Sequence, residues 1–515
     1  MTALSPLNLA ASSGLAALEK LASADKYSSV NLQGVAGSPA SSIVSIPSGN
    51  DDPTLQTYSP HGLLTSGLPP VVWTSDTSDS ISALMKDDYT SSTMGGRFAG
   101  LGSALLDRFE TTGDDYSQSV SYGPATGAGA YGSLSQLPQG KIDLTVKTKS
   151  GATVDIEIDS ENGGLSVNVK SSSKLSDSER GAVAKLADGF QKAIDGLSAQ
   201  PPTVDLSGLT QFDTSAIASV SFKYSLSNDI GSNISASYTQ DSASRDLSVQ
   251  TADGTVNLKV DTSNPALWGA SKQRDAAVAS LLKQFDAANS RGHGNAALMS
   301  MFEDGFTQMN ADYGPGGAPS ALPGGENSSS LMTGLADYSA SIHNNSATNP
   351  ANPDETDTFD YHASQNTTLN DTSTTTGLTQ QQQSQLDASF HQTMTGAGPQ
   401  ATTSSQGMTA QTLSQNYDFM KIDDSAESTV QLTAERGALV SATLDQSVHQ
   451  KTRDAKHQHG VLISDVTTPN DTSSKKNLLL LLKPLIASGA AKHDTPAWEL
   501  AKTLANAMIQ LKAHE

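Results

Sequence analysis

The fold is decided by residues 141–170, which read KIDLTVKTKSGATVDIEIDSENGGLSVNVK. Apolar and polar residues alternate there in three short runs, and the turn sequences Ser150-Gly151 and Asn162-Gly163-Gly164 separate the runs. A period of two puts every second side chain on the same face of a strand. The stretch therefore predicts three antiparallel strands with one buried face and one solvated face.

A helix is predicted directly after this meander. Ser176 and Glu179 have the spacing of a capping box, an apolar stripe follows them, and Pro201-Pro202 ends the pattern. The same order of strands and then a helix recurs over 220–285. Either a meander-plus-helix unit is duplicated, or two halves of one sheet are covered by two helices. We favour the second interpretation because neither half is large enough to bury a stable core alone.

The chain of 515 residues is predicted to be an α+β protein of antiparallel β-meanders packed by helices. Composition and turn residues divide it into five segments. These are a mostly disordered Ser/Pro/Gly-rich arm (1–78), a helical segment with a Gly-rich linker (79–138), an antiparallel sheet with helices (139–312), a Pro/Gly linker (313–330), and a polar β-rich region with C-terminal helices (331–515).

The last segment has the weakest patterns. A short helix is predicted over 331–342, and polar strands follow within 359–385, 413–422, 428–448 and 460–466. Two helices, 478–487 and 498–512, are predicted to close the chain. The glutamine run 380–383 is also consistent with a disordered polar tract.

Composition narrows the possible functions. The absence of cysteine excludes disulfides, thiolate nucleophiles and Cys-ligated metals. A net charge of -22 disfavours nucleic acid as a partner. The most apolar run, 478–482, is too short to span a bilayer, and residues 1–18 lack the basic and apolar regions of a signal peptide. The protein is predicted to be cytoplasmic or exported by a route independent of a signal peptide.

Motifs for nucleotide or serine chemistry are incomplete. The glycine-rich run 95–102 follows no buried strand and lacks the Gly-Lys-Ser/Thr ending of a phosphate-binding loop. No Gly-x-Ser-x-Gly sequence is present. The sequence therefore predicts no cofactor and identifies no catalytic residue.

The densest histidine group consists of His449, His457 and His459. If His457 and His459 lie on a strand, they share a face and could form a pair of metal ligands. Three basic residues in the same stretch favour the alternative, a charged hinge. No metal site is predicted, and metal binding by these histidines stays an open question.

A line of carboxylates offers a second metal candidate. Asp155, Glu157, Asp159 and Glu161 recur at a period of two, so that a calcium site is conceivable. The solvated strand face of an acidic protein gives the same pattern, and we favour that interpretation.

Four pieces of the chain resemble a family of uncharacterised proteins from pseudomonad-type bacteria. They are LGSALLDRFE (101–110), LADGFQKAIDGL (186–197), QFDAANSRGHGNAALMSMFEDGFTQMN (284–310) and DVTTP (465–469). Members of such families are sometimes automatically labelled lactate dehydrogenase. This chain lacks the glycine fingerprint after a strand and the acidic ribose-binding residue of a βαβ unit, so dehydrogenase activity is not predicted. The resemblance implies a bacterial source.

Low charge, long polar strands and the lack of a catalytic constellation predict a non-enzymatic bacterial interaction or surface-associated protein. A protein partner is expected, without nucleic acid and without a membrane span. Two alternatives stay open. One is a secreted effector or enzyme whose site is assembled from distant residues, and the other is a cytoplasmic scaffold.

Overall fold

A computed structural model of the chain describes residues 71–123, 138–161, 163–227, 233–311, 313, 331–349, 352–372, 374–393 and 416–480. Several predictions fall outside these residues. They concern the arm up to residue 70, the linker residues 124–137 and 314–330, the helix predicted over 498–512, and the helix predicted over 478–487 except for residues 478–480, which are helical.

The described strands form one sheet of fifteen strands, and every neighbouring pair is antiparallel. The sheet order is β1-β2-β5-β4-β3-β6, and it continues in chain order to β15. The strands are β1 Val71–Trp73, β2 Tyr116–Tyr122, β3 Gln139–Thr148, β4 Thr153–Ser160, β5 Leu165–Ser171, β6 Ile217–Ser227, β7 Ile234–Gln240, β8 Ser244–Gln250, β9 Gly254–Asp261, β10 Asp337–Thr348, β11 Thr356–Asp371, β12 Thr375–Thr393, β13 Tyr417–Glu435, β14 Ala438–Gln458 and β15 Val461–Asn477.

Helices precede and follow the first meander, β3–β5, and two more follow β9. They are α1 Ser80–Asp88, α2 Met94–Arg97, α3 Leu101–Thr112, α4 Asp177–Ala184, α5 Ala187–Ser198, α6 Ser271–Gly292 and α7 Ala296–Ala311. The predicted capping box opens α4, because the Ser176 side chain accepts from the Glu179 backbone and the Glu179 side chain accepts from the Ser176 backbone. The α+β architecture predicted from the sequence is confirmed.

The two faces of the sheet differ in chemistry, as one row of cross-strand partners shows. On one side, which we call the open face, the row is polar in every strand from β2 to β15: Ser117, Asn168, Glu157, Asp143, Lys223, Ser237, Ser248, Asn257, Ser341, His362, Gln385, Ser425, His449 and Asp471. The adjacent row on the other side, the core face, is mostly buried and apolar: Gln118, Val167, Ile158, Ile142, Tyr224, Ala236, Val249, Val256, Ile342, Tyr361, Leu386, Asp424, Gln450 and Asn470.

The helices pack on the core face through aromatic pairs. Phe190 of α5 meets Phe222 of β6 with ring centroids 6.0 Å apart. Phe285 of α6 meets Tyr361 of β11 at 5.8 Å. Because these helices cover the apolar side, the opposite side of the sheet is left to solvent, as an antiparallel sheet permits.

The structure joins the two predicted β regions. β10 pairs with β9 along its length, so the sheet continues past residues 313–330. β3 also pairs with β6, so the two meander-plus-helix units lie in one sheet, as the favoured interpretation predicted. The helix predicted over 331–342 is wrong. Its apolar residues fit a helical period, but hydrogen bonding to the edge of β9 determines the conformation of this short segment.

Strands also occur where the sequence predicted none. Val71–Trp73, within the predicted arm, forms β1, and the predicted linker contains β2. The glutamine run 380–383 lies inside β12 and pairs with β11 and β13. The predicted boundary of the arm at Ser78 is therefore wrong for residues 71–73, which form a strand.

Candidate functional site

Side chains from four segments meet at one end of β11–β14. Glu355 precedes β11 and Asp357 is the second residue of that strand. His391 lies near the end of β12, Tyr417 opens β13, and His457 is near the end of β14. Antiparallel hairpins place these strand ends side by side, with Tyr417 directly opposite His457. We call these five residues the His391 cluster.

His391 is the centre of the cluster. Its Nδ1 lies 2.5 Å from Asp357 Oδ1 and its Nε2 lies 3.1 Å from Glu355 Oε2, while its side chain is only 7% exposed. Glu355 also accepts a hydrogen bond of 2.8 Å from the Tyr417 hydroxyl. His457 Nε2 lies 3.5 Å from the other oxygen of Glu355, and its ring stacks on Tyr417. The carboxylates thus occupy both nitrogens of His391.

Protonation follows from these contacts. Burial alone would lower the pKa of His391, but hydrogen bonds to Asp357 and Glu355 outweigh burial and raise that pKa above its ordinary value. Burial alone would raise the pKa of Glu355, and its hydrogen bonds from His391 and Tyr417 reverse that effect and lower it. Burial, and then the adjacent Glu355, raise the pKa of Tyr417 to about 12. These contacts therefore favour the protonated form of His391 between two carboxylates.

The His391 cluster predicts a pH dependence of stability. Because the folded-state pKa of His391 is raised, its contribution is complete below the unfolded-state pKa and is lost as pH rises through the folded-state value. The lowered pKa of Glu355 contributes stability that is lost as pH falls through its folded-state value. In the wild type, deprotonation of His391 should lower the free energy of unfolding as pH rises above about 6.5. In the His391→Gln variant, this decline should be absent.

Urea melts at several pH values measure this effect, with His449→Gln as the matched control. His449 is 63% exposed and pairs with Asp471 at 3.2 Å, so its removal should leave the pH profile almost unchanged. If the wild type and His391→Gln show the same dependence of unfolding free energy on pH, the cluster does not bind a proton more tightly in the folded state than in the unfolded state.

The histidines singled out in the sequence do not come together. His457 belongs to the His391 cluster, whereas His449 lies further along β14. His459 lies beyond the end of β14 with a φ of 51°, so the predicted shared face with His457 is wrong. Within the described ranges, no group of three or more histidines or carboxylates is placed to hold a metal ion.

The acidic line on β4 lies on the open face. Asp155 accepts a 2.7 Å hydrogen bond from Thr145, and Glu157 lies 2.7 Å from Lys141. Burial raises the pKa of Asp159, and the nearby Glu161, which follows the end of β4, adds to that effect. Successive carboxylates on one strand face are about 7 Å apart, too far to converge on one calcium ion. The geometry fits a solvated strand face.

Among the strands that the structure describes, the last one, β15, has one neighbour, β14, and forms an edge of the sheet. Nearly all of its side chains are exposed on both faces. Val461, Leu462, Ile463 and Val466 are 63%, 49%, 54% and 52% exposed. Such an edge offers unpaired backbone groups together with apolar side chains to another strand.

A cleft of about 520 Å³ opens at the ends of β3, β6, β7 and β8. Its lining includes Lys141, Glu161 and several serine, glutamine and asparagine side chains, without a histidine. The His391 cluster lies far from it along the sheet, so cleft and cluster do not form one site.

No protein-family model matches the chain, and comparisons with curated proteins and with solved structures find no significant similarity. Among the helices that the structure describes, none is long and apolar enough to cross a membrane.

Proposed function

We propose that this chain is a non-enzymatic bacterial interaction or surface-associated protein that binds a protein partner across the open face of its sheet. The observation that carries the proposal is the polar row that crosses fourteen strands, β2 to β15, on the side away from the helices.

The size and chemistry of the open face suit a protein partner. Strands about 4.8 Å apart make this face roughly 60 Å wide. A face of this width is large enough for an ordinary protein–protein interface of about 800 Å² per partner. Hydroxyl, amide and charged side chains all occur along it, as in the polar interfaces of adaptable binding proteins. The row contains no Phe, Tyr or Trp, so stacking on sugar rings or bases is not supported.

The His391 cluster bears on the enzyme alternative. A general base needs a nitrogen that can reach a substrate proton. Both nitrogens of His391 already bond carboxylates, and the Tyr417 hydroxyl donates to Glu355. This closed arrangement supports a structural role for the cluster and favours the interaction protein over an enzyme.

Export is the second part of the proposal. A chain without cysteine has no thiol that could form a wrong disulfide outside the cell. We propose that the protein leaves the cell without cleavage of its N-terminus. Fractionation of the source bacterium, followed by mass spectrometry of the released protein, tests this part of the proposal. A protein found only in the cytoplasm would overturn export and favour the cytoplasmic scaffold.

Site-specific photo-cross-linking tests the binding face. A photoreactive residue at Ser248 or Asn257, both exposed on the open face, is expected to give one adduct of defined mass in the source cells. The same residue at Lys283 or Asp286, exposed on α6, is the matched control and should give no such adduct. Adducts from the α6 positions alone, or none from the open face, would overturn the proposal.

A further inference from the structure

We infer that β15 is a dimerisation strand, to which β15 of a second copy of this chain adds antiparallel about a two-fold axis at Ser473. The second copy would continue the sheet by the same antiparallel pairing that already joins all fifteen strands. This inference concerns the edge of the sheet and does not depend on which partner binds the open face.

Pro469 indicates which backbone groups point outward. A proline inside a sheet is tolerated on an edge strand when its missing N–H would face away from the neighbouring strand. Pro469 pairs with Lys451 within the β14–β15 ladder, which continues on both sides of it. Because backbone direction alternates along a strand, Asp471, Ser473 and Lys475 then direct their N–H and C=O groups away from β14.

The side chains around Ser473 are self-complementary. In an antiparallel pair centred on this residue, Asp471 of each copy lies opposite Lys475 of the other, which gives two cross-strand pairs of opposite charge. Both side chains are exposed, Asp471 by 66% and Lys475 by 73%. Each would give up an exposed pair with β14, His449 for Asp471 and Asp445 for Lys475, in exchange for the pair across the dimer. The pairing would place Pro469 opposite Asn477 and so limit the ladder to the residues between them.

Exposed apolar side chains fit the same symmetry. Val466 and Leu480 are equally far from Ser473 along the chain, and they are 52% and 62% exposed. β15 ends at Asn477 and Leu480 lies in the helical turn after it, so the inferred pairing brings each Val466 toward the start of that turn in the other copy. A two-fold axis makes the same patch serve both copies, which is the common arrangement in homodimers. A strand from another protein would need to supply this matching pattern independently.

The inference is tested by the oligomeric state of the full chain, measured by sedimentation velocity over a range of protein concentrations. Wild type is expected to dimerise reversibly. Ser473→Pro removes an outward N–H at the centre of the pairing, and Asp471→Lys or Lys475→Asp places like charges opposite each other, so each should weaken dimerisation by roughly tenfold or more. The double variant Asp471→Lys/Lys475→Asp restores opposite charges and should recover dimerisation.

Lys476→Asp is the charge-matched control, because Lys476 is exposed but lies opposite uncharged Asn470 in the inferred register. Circular dichroism of each variant verifies that the fold is retained, and the charge variants test the register even if Ser473→Pro fails to fold. A wild-type chain that stays monomeric would overturn the inference and leave the edge to a strand of another protein. The inference would also be overturned if the wild type and the single charge variants behave as expected but the double variant stays monomeric.

Discussion

Replacing Arg291 with methionine is expected to lower the free energy of unfolding by about 3–5 kcal/mol, the usual cost of leaving a buried charge without its partner. Arg291 lies in the last turn of α6 and bonds Asp424 on the core face of β13. The two side chains are 7% and 0% exposed. The variant leaves the Asp424 carboxylate buried with weaker partners, because the donors that remain among the described residues are the Lys451 N–H and the Gln450 amide.

The expected loss comes from an unpaired charge, so removal of both charges should undo most of it. The double variant Arg291→Met/Asp424→Leu is expected to be far more stable than Arg291→Met alone. Arg453→Met is the matched control, since Arg453 bonds Asp465 through two nitrogens at 2.8 Å and 2.7 Å but is 42% exposed. A surface pair of this kind contributes at most about 1 kcal/mol. Urea melts that give equal losses for both single variants would contradict the buried position of Asp424.

Phe285→Ala is expected to cost about 3–5 kcal/mol, the usual range for a buried aromatic side chain truncated in a packed core. Phe285 of α6 is fully buried and contacts Phe302 and Phe306 of α7, with ring centroids 4.9 Å and 5.2 Å apart. It also contacts Tyr361 of β11, so one ring connects the helices with the second predicted β region.

Lys283→Ala, an exposed position on the same helix, is the control for Phe285→Ala and should stay within about 0.5 kcal/mol of wild type. Because one core spans both β regions, Phe285→Ala should shift a single unfolding transition. Two separate transitions, with only one of them shifted, would show that the regions unfold as independent units.

The sequence predicted the fold well where apolar alternation is strong. Residues 141–170 form β3, β4 and β5 with the predicted inward and outward faces, and Ser176 opens the predicted helix. Local pattern sufficed there because each strand carries large apolar residues on one face and charged or hydroxyl residues on the other.

The later strands were harder to predict because their core face is not consistently apolar. Gln365, Gln380, Ser384, Asp424 and Gln450 are buried in β11–β14. Their polar groups are satisfied by partners from other segments, such as the Thr333 hydroxyl that donates to Gln365. Alternation of polarity therefore fades along these strands, and their lengths of up to 21 residues are not apparent from the sequence.

The His391 cluster could not be predicted from spacing. Glu355, His391 and His457 are far apart in the chain, and the register of three successive hairpins brings them together. A one-residue change of register would turn His391 to the other face of the sheet. His457 alone was singled out in the sequence, and it was paired there with His459, which lies in the turn.

The distance between Lys223 and Gln385 tests the account most directly, because it spans the junction between the two predicted β regions. Both side chains are exposed in the same row of the open face, and their strands, β6 and β12, are six strands apart in the sheet. The chain has no cysteine, so Lys223→Cys/Gln385→Cys can be spin-labelled at these two positions only. Double electron–electron resonance should give one narrow distance near 29 Å, at about 4.8 Å for each strand. A broad distribution, or a mean distance far from this value, would contradict a single continuous sheet with one open face.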